Sequence, residues 1–156
     1  MTQQATTDTS CTCAATHLLV SGPPLLRFIC HCTICQRFNR APEADMVVFR
    51  GGHARLADVS TVEFKRFKRL LAVDRGACRQ CGDPVIETLT LPLFPALAFV
   101  PASRVAAEID LPLPSMRVFY DSRVSDAGDD LPRHEGFIAS QTAFLRLLLR
   151  ALRTGP

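Results

Sequence analysis

The seven cysteines of this 156-residue chain fall into three tight groups: Cys11 and Cys13, then Cys30, Cys32 and Cys35, then Cys78 and Cys81. None stands alone, and an odd number cannot all be consumed by disulfides. The opening residues MTQQATTDTS have neither the basic nor the apolar region of a secretory leader, so a reducing, cytoplasmic setting is expected. Grouped thiols there are metal ligands rather than bridges. Zinc held by four thiolates at ~2.3 Å needs its sulfurs ~3.8 Å apart at tetrahedral corners. A C-x-C on an extended segment presents both side chains on one face. A C-x-x-C in a tight turn does the same, and Gly82 after Cys81 supplies backbone freedom. Pairing Cys11 and Cys13 with Cys78 and Cys81 would close a four-thiol site across distant parts of the chain.

The remaining group, C-H-C-x-x-C, places Cys30, Cys32 and Cys35 within six residues. Three protein ligands and one open position are the pattern of catalytic zinc, whereas closed four-ligand sites are structural. The spacing alone leaves a second partition open, in which this group lends two ligands to the first site. A thioredoxin-like use of C-x-x-C needs a βαβ context that the chain lacks. With Cys30 and Cys32 facing a metal from an extended segment, His31 points the other way, toward a packing or hydrogen-bonding role.

A chain of this length buries roughly 70% of its unfolded surface and forms one domain without disulfide staples. Hydrophobic residues make up 47% and charged residues 21%, the balance of a globular protein. The longest apolar stretch, Leu89 to Ala102, is cut by Pro92, Pro95 and Pro101 and cannot span a membrane. Seven thiolates and two divalent ions would together subtract three from the formal charge of +3, so the apparent basicity gives no case for a nucleic-acid partner. Residues 1–9 are polar and aperiodic and read as a disordered tail. Short apolar runs then predict strands at Thr16–Val20, Leu25–Ile29, Met46–Arg50, Val62–Phe67, Leu70–Val73, Val85–Leu91, Leu97–Val100 and Met116–Tyr120, a mainly β domain over residues 10–137. Asp121 to Glu135 reads as a long loop. Ile138–Arg153 is the one predicted helix, with Arg146, Arg150 and Arg153 on one face and leucines on the other.

Ser10-Cys11-Thr12-Cys13, Cys30-His31-Cys32-Thr33-Ile34-Cys35 and Cys78-Arg79-Gln80-Cys81-Gly82 resemble the glutathione-dependent formaldehyde-activating enzyme family, which also includes centromere protein V. Val20-Ser21-Gly22-Pro23-Pro24, Val100-Pro101-Ala102, Val118-Phe119-Tyr120-Asp121-Ser122 and Asp130-Leu131-Pro132 extend the likeness over residues 10–137. The resemblance implies a β-tent fold of small antiparallel zinc-binding sheets, here with a C-terminal helix. It also implies structural zinc on Cys11, Cys13, Cys78 and Cys81, and a reactive second zinc on Cys30, Cys32 and Cys35. The implied activity is that of a carbon–sulfur lyase, adding the thiol of glutathione to formaldehyde. Thr9 and Ala14 stand where the family has glycines, Gln36 where it has arginine and Ala77 where it has an aromatic residue; the chain has no tryptophan.

A free thiol of pKa about 8.5 is only about 3% ionised at pH 7, so coordination to zinc raises the thiolate fraction some thirtyfold at most. Positioning thiol and carbonyl together is the larger effect, with effective molarities on the order of 10⁵ M at the best geometries. Glutathione brings two carboxylates. Arg37 is a candidate substrate-binding residue, with Arg40 and the run Lys65, Arg66, Lys68 and Arg69 as further cations, or as solvated edge charges. The alternative function is a non-catalytic zinc module for protein or nucleic-acid contact. Methionine-R-sulfoxide reduction ranks last, because the chain has no cysteine outside the three groups.

Overall fold

Runs of β-branched and aromatic residues between prolines and glycines give short strands, and the computed structural model describes residues 6–68 and 73–154. In chain order these are β1 (Thr7–Ser10), β2 (His17–Val20), β3 (Leu26–Cys30), α1 (Thr33–Asn39), β4 (Ala44–Arg50), β5 (Ala54–Leu56) and β6 (Val62–Lys65). Then follow β7 (Val73–Cys78), β8 (Pro84–Leu89), β9 (Leu97–Pro101), β10 (Arg117–Val118), β11 (Arg133–His134) and α2 (Gly136–Thr154). The protein is mainly β with a C-terminal helix, as the sequence predicts. None of the described helices is long and apolar enough to cross a membrane.

The chain divides into two compact units, each discontinuous in sequence. The first comprises the residues through Pro23 together with Val48–Asp110. It contains a three-stranded sheet in the order β1-β2-β5, antiparallel throughout. It also contains an antiparallel run β9-β8-β7-β6. Its interior is built from Leu18, Val20, Val48, Phe49, Val62, Val85, Leu97 and Val100. The edge strand β6 ends at Lys65 and is followed by Arg66, paired with Asp74 at 2.7 Å; charges of this kind protect exposed edges from further strand addition. Arg69 and the predicted strand Leu70–Val73 lie outside the described residues except for Val73, which opens β7.

The second unit comprises Pro24–Val47 and the chain from Leu111 onward. Here β10 runs parallel to both β3 and β11, a departure from the antiparallel expectation. The long connections reaching β10 and leaving it remove the hairpin constraint that would enforce antiparallel pairing. Helix α2 belongs to this unit, with Phe144 edge-on to Phe28 at 5.1 Å and Leu148 buried. Buried Ser140 accepts from the Phe119 amide at 2.8 Å and donates to the His134 carbonyl at 3.2 Å, tying α2 to the ends of β10 and β11.

Several expectations are corrected. Thr7–Thr9, expected in the disordered tail, instead belong to β1, whose backbone is paired with His17–Val20. The predicted strand Met116–Tyr120 shortens to Arg117–Val118, since Phe119 takes a left-handed φ of 54° and a 3₁₀ turn follows over Tyr120–Ser122. The region Asp121–Glu135 contains that turn and β11 and is not one long loop. The leucines of α2 are not all opposite the arginines: Leu145 and Leu149 remain exposed.

Candidate metal centres

In the first unit, the turn joining β1 to β2 carries Cys11 and Cys13. It is closed by Cys11 N–H to the Thr16 carbonyl at 3.0 Å and Ala14 N–H to the Cys11 carbonyl at 2.9 Å, with Ala14 left-handed at φ 59°. The C-x-C therefore converges through a turn, not through the extended segment expected. Cys78 ends β7, and the Gly82 amide donates back to its carbonyl at 2.8 Å, a turn made possible by Gly82 at φ 73°. The four sulfurs of Cys11, Cys13, Cys78 and Cys81 all lie within 4.8 Å of one another. Cys11 and Cys13 are 3.4 Å apart and Cys13 and Cys78 3.7 Å, while Cys11 also accepts from the Thr16 amide at 3.4 Å. Burial opposes ionisation of Cys78, but the Thr16 hydroxyl and the Cys81 and Gln80 amides outweigh it and bring the thiol down to about 6.

Beside this cluster Asp83 accepts from the Thr12 amide and hydroxyl and from Arg104. The Thr12 contacts, ahead of the Arg104 charge, hold the Asp83 carboxyl down to about 2. Sequence reading missed this trio. Its signal was present: if the two cysteine pairs meet, Thr12 inside one and Asp83 just beyond the other become neighbours.

In the second unit, Cys30 ends β3 and Cys32 serves as the N-cap of α1, its sulfur accepting from the Cys35 amide at 3.3 Å. The cap turns the chain so that Cys35, in the first turn of α1, faces back. The sulfurs of Cys30, Cys32 and Cys35 lie within 4.8 Å of one another. Hydrogen bonds from the Cys30 and Cys35 thiols push Cys32 down to about 2, and the same contact pushes Cys30 up. Helix α1 was not expected from the sequence. All seven cysteines are free thiols, soft donors gathered in a set of four and a set of three, and both sets fit zinc in ligand type and proximity.

His31 is not among the converging donors. It is 1% exposed; its amide donates to the Val118 carbonyl at 3.0 Å, and its Nε2 lies 3.0 Å from Arg117 Nη1. A guanidinium only donates, so Nε2 accepts and the neutral ring carries its proton on Nδ1. Burial, the largest influence, lowers the His31 pKa and keeps the ring neutral. Buried Arg117 also donates to Glu43 at 2.7 Å and by two nitrogens to Asp129, at 2.7 Å through Nη2. Gln36 donates to the His31 carbonyl at 2.6 Å and the Ser122 carbonyl at 2.8 Å, bracing the three-thiol segment against the turn after β10. Arg37 lies exposed in the last turn of α1, and Arg40 is its left-handed C-cap at φ 51°.

The model of one family, the glutathione-dependent formaldehyde-activating enzymes, matches residues 6–122. The chain belongs to this family. The match takes in all seven cysteines. A crystal structure of a Rhodobacter sphaeroides protein has a similar fold, with a TM-score of 0.52 and 18% identity over 65% of this chain and 89% of that one. No curated protein matches the chain.

Proposed function

We propose that the chain is a zinc-dependent enzyme that adds a thiol, glutathione or a similar cellular thiol, to formaldehyde or another small aldehyde, in a cytoplasmic setting. The observation that carries this reading is the unequal division of donors: a closed set of four thiols in one unit and an incomplete set of three in the other. Cys11, Cys13, Cys78 and Cys81 would hold a structural zinc, and Cys30, Cys32 and Cys35 a second one. Zinc on the three-thiol set would supply an open position and positive charge beside the reacting thiol and carbonyl.

The reaction forms one carbon–sulfur bond between the thiol and the carbonyl carbon, and the thiol proton ends on the former carbonyl oxygen. The reverse, cleavage of that bond, is the lyase direction. The chain's own residues support the site by orientation. Cys32 is partly accessible and held ionised by its neighbours, Gln36 fixes the backbone between Cys30 and Cys32, and Arg117 fixes His31. Arg37, exposed on the helix that begins at Cys32, is suited to pair with a carboxylate of glutathione.

The test is the rate of S-hydroxymethyl adduct formation, followed by exchange NMR on zinc-loaded protein with glutathione, cysteine and other small thiols. Acceleration by wild type and its loss in Cys32→Ser is the expected result. If no thiol reacts faster while both sites hold metal, the protein is a non-catalytic zinc module.

A further inference from the structure

The two limbs of the four-thiol cluster are joined by a clasp that supplies no metal ligand. One oxygen of Asp83, two residues beyond Cys81, accepts from the Thr12 amide at 2.8 Å and from the Thr12 hydroxyl, across 71 residues of sequence. Arg104 Nη2 donates to that same oxygen at 2.5 Å and to the Thr12 hydroxyl at 3.3 Å. The Asp83 and Arg104 side chains are only 13% and 21% exposed, so water screens the pair weakly. Thr12 sits between Cys11 and Cys13. A single carboxylate oxygen therefore latches the C-x-C turn onto the C-x-x-C turn.

The latch carries an electrostatic difficulty. Four thiolates around one divalent cation have a net charge of about −2. The Asp83 carboxylate, held two residues beyond Cys81 against the Cys11–Cys13 turn, adds a like charge beside those thiolates. We propose that Arg104 is a positioning residue for the four-thiol site: its guanidinium cancels the Asp83 charge, so that Asp83 holds the two cysteine limbs together without repelling the thiolates. The inference rests on the reading that Cys11, Cys13, Cys78 and Cys81 hold zinc. It makes Arg104 more important than Asp83, since losing Arg104 leaves the carboxylate uncompensated, whereas losing both removes latch and repulsion together.

The experiment uses the full chain carrying Cys32→Ser, which isolates the four-thiol site. It reads zinc transfer to a chromophoric chelator and the thiolate-to-Co²⁺ charge-transfer band, with circular dichroism as the check on folding. Outer-shell partners of ligands typically set metal affinity by 10–100-fold, so Arg104→Gln should weaken zinc binding by about that factor, with Arg104→Lys within about threefold of the parent. Asp83→Asn/Arg104→Gln should recover most of the loss, a rescue that a purely structural brace would not produce. Where Arg104→Gln fails to fold, a folded double variant that retains zinc supports the proposal. A double variant no better than Arg104→Gln overturns it, as does an Arg104→Gln protein that holds zinc as tightly as the parent. A zinc-free but folded parent would instead remove the metal reading on which the proposal stands.

Discussion

Replacing Arg117 by methionine keeps most of the buried stem and removes the guanidinium, which should destabilise the protein by ~2–4 kcal/mol. His31 contributes the largest part: at 1% exposure its Nε2 cannot regain water, and an orphaned buried acceptor costs ~1–3 kcal/mol. Glu43 and Asp129 contribute less, because their side chains are 41% and 39% exposed and rehydrate once released. Partly exposed ion pairs of that kind are screened by solvent and contribute little. Urea unfolding of reduced, zinc-loaded protein measures the total, and a cycle with His31→Phe isolates the histidine share. The coupling between Arg117→Met and His31→Phe should be ~1–2 kcal/mol. A loss below ~1 kcal/mol for Arg117→Met, or a cycle without coupling, would refute the assignment of the Nδ1–H tautomer and its cause.

The two metal centres should separate on mutation. Cys78→Ser should abolish cooperative unfolding or lower Tm sharply, because a structural zinc contributes folding free energy outright, whereas Cys32→Ser should leave a folded protein short of one labile zinc. Equal Tm losses, read by calorimetry alongside elemental zinc analysis, would contradict that division. Asp129 is held below its ordinary value of 3.8 by the Arg117 hydrogen bonds, so its stabilising contribution is complete above that value and lost as pH falls through the lowered one. The stability gap between wild type and Asp129→Asn should accordingly stay constant near neutrality and close in acid. A gap that instead widens as pH falls has the wrong sign for this linkage.

The two pairs of the four-thiol cluster were legible because C-x-C and C-x-x-C each deliver two adjacent sulfurs, and Gly82 marks the turn at the second, whereas spacing alone left open which pairs meet. Strands such as β4 and β9 were legible as apolar runs between turn residues. Helix α1 was not, because its N-cap is Cys32 rather than serine or aspartate, and Thr33–Asn39 is too short to display a periodic face. Strand β1 was missed for the opposite reason: Thr-Asp-Thr-Ser has no apolar alternation, and only pairing with β2 makes it a strand. The Arg117 network joins positions 86 residues apart at His31, and nothing local in either segment announces the partner. Long-range polar contacts of this kind depend on the register of β3 against β10, which hydrophobic pattern alone leaves open.

The central claim, that the three-thiol centre accepts a thiol from solution, is tested most directly by replacing zinc with Co²⁺ and titrating glutathione. An added thiolate changes the charge-transfer absorption of a tetrahedral cobalt centre. Cysteine and other small thiols belong in parallel titrations, since Gln36, which braces the three-thiol segment, departs from the family pattern. Wild type should show a saturable spectral change that is absent from Cys32→Ser, while the contribution of the four-thiol centre stays constant in both. A protein with both centres filled whose spectrum no thiol alters would contradict that claim.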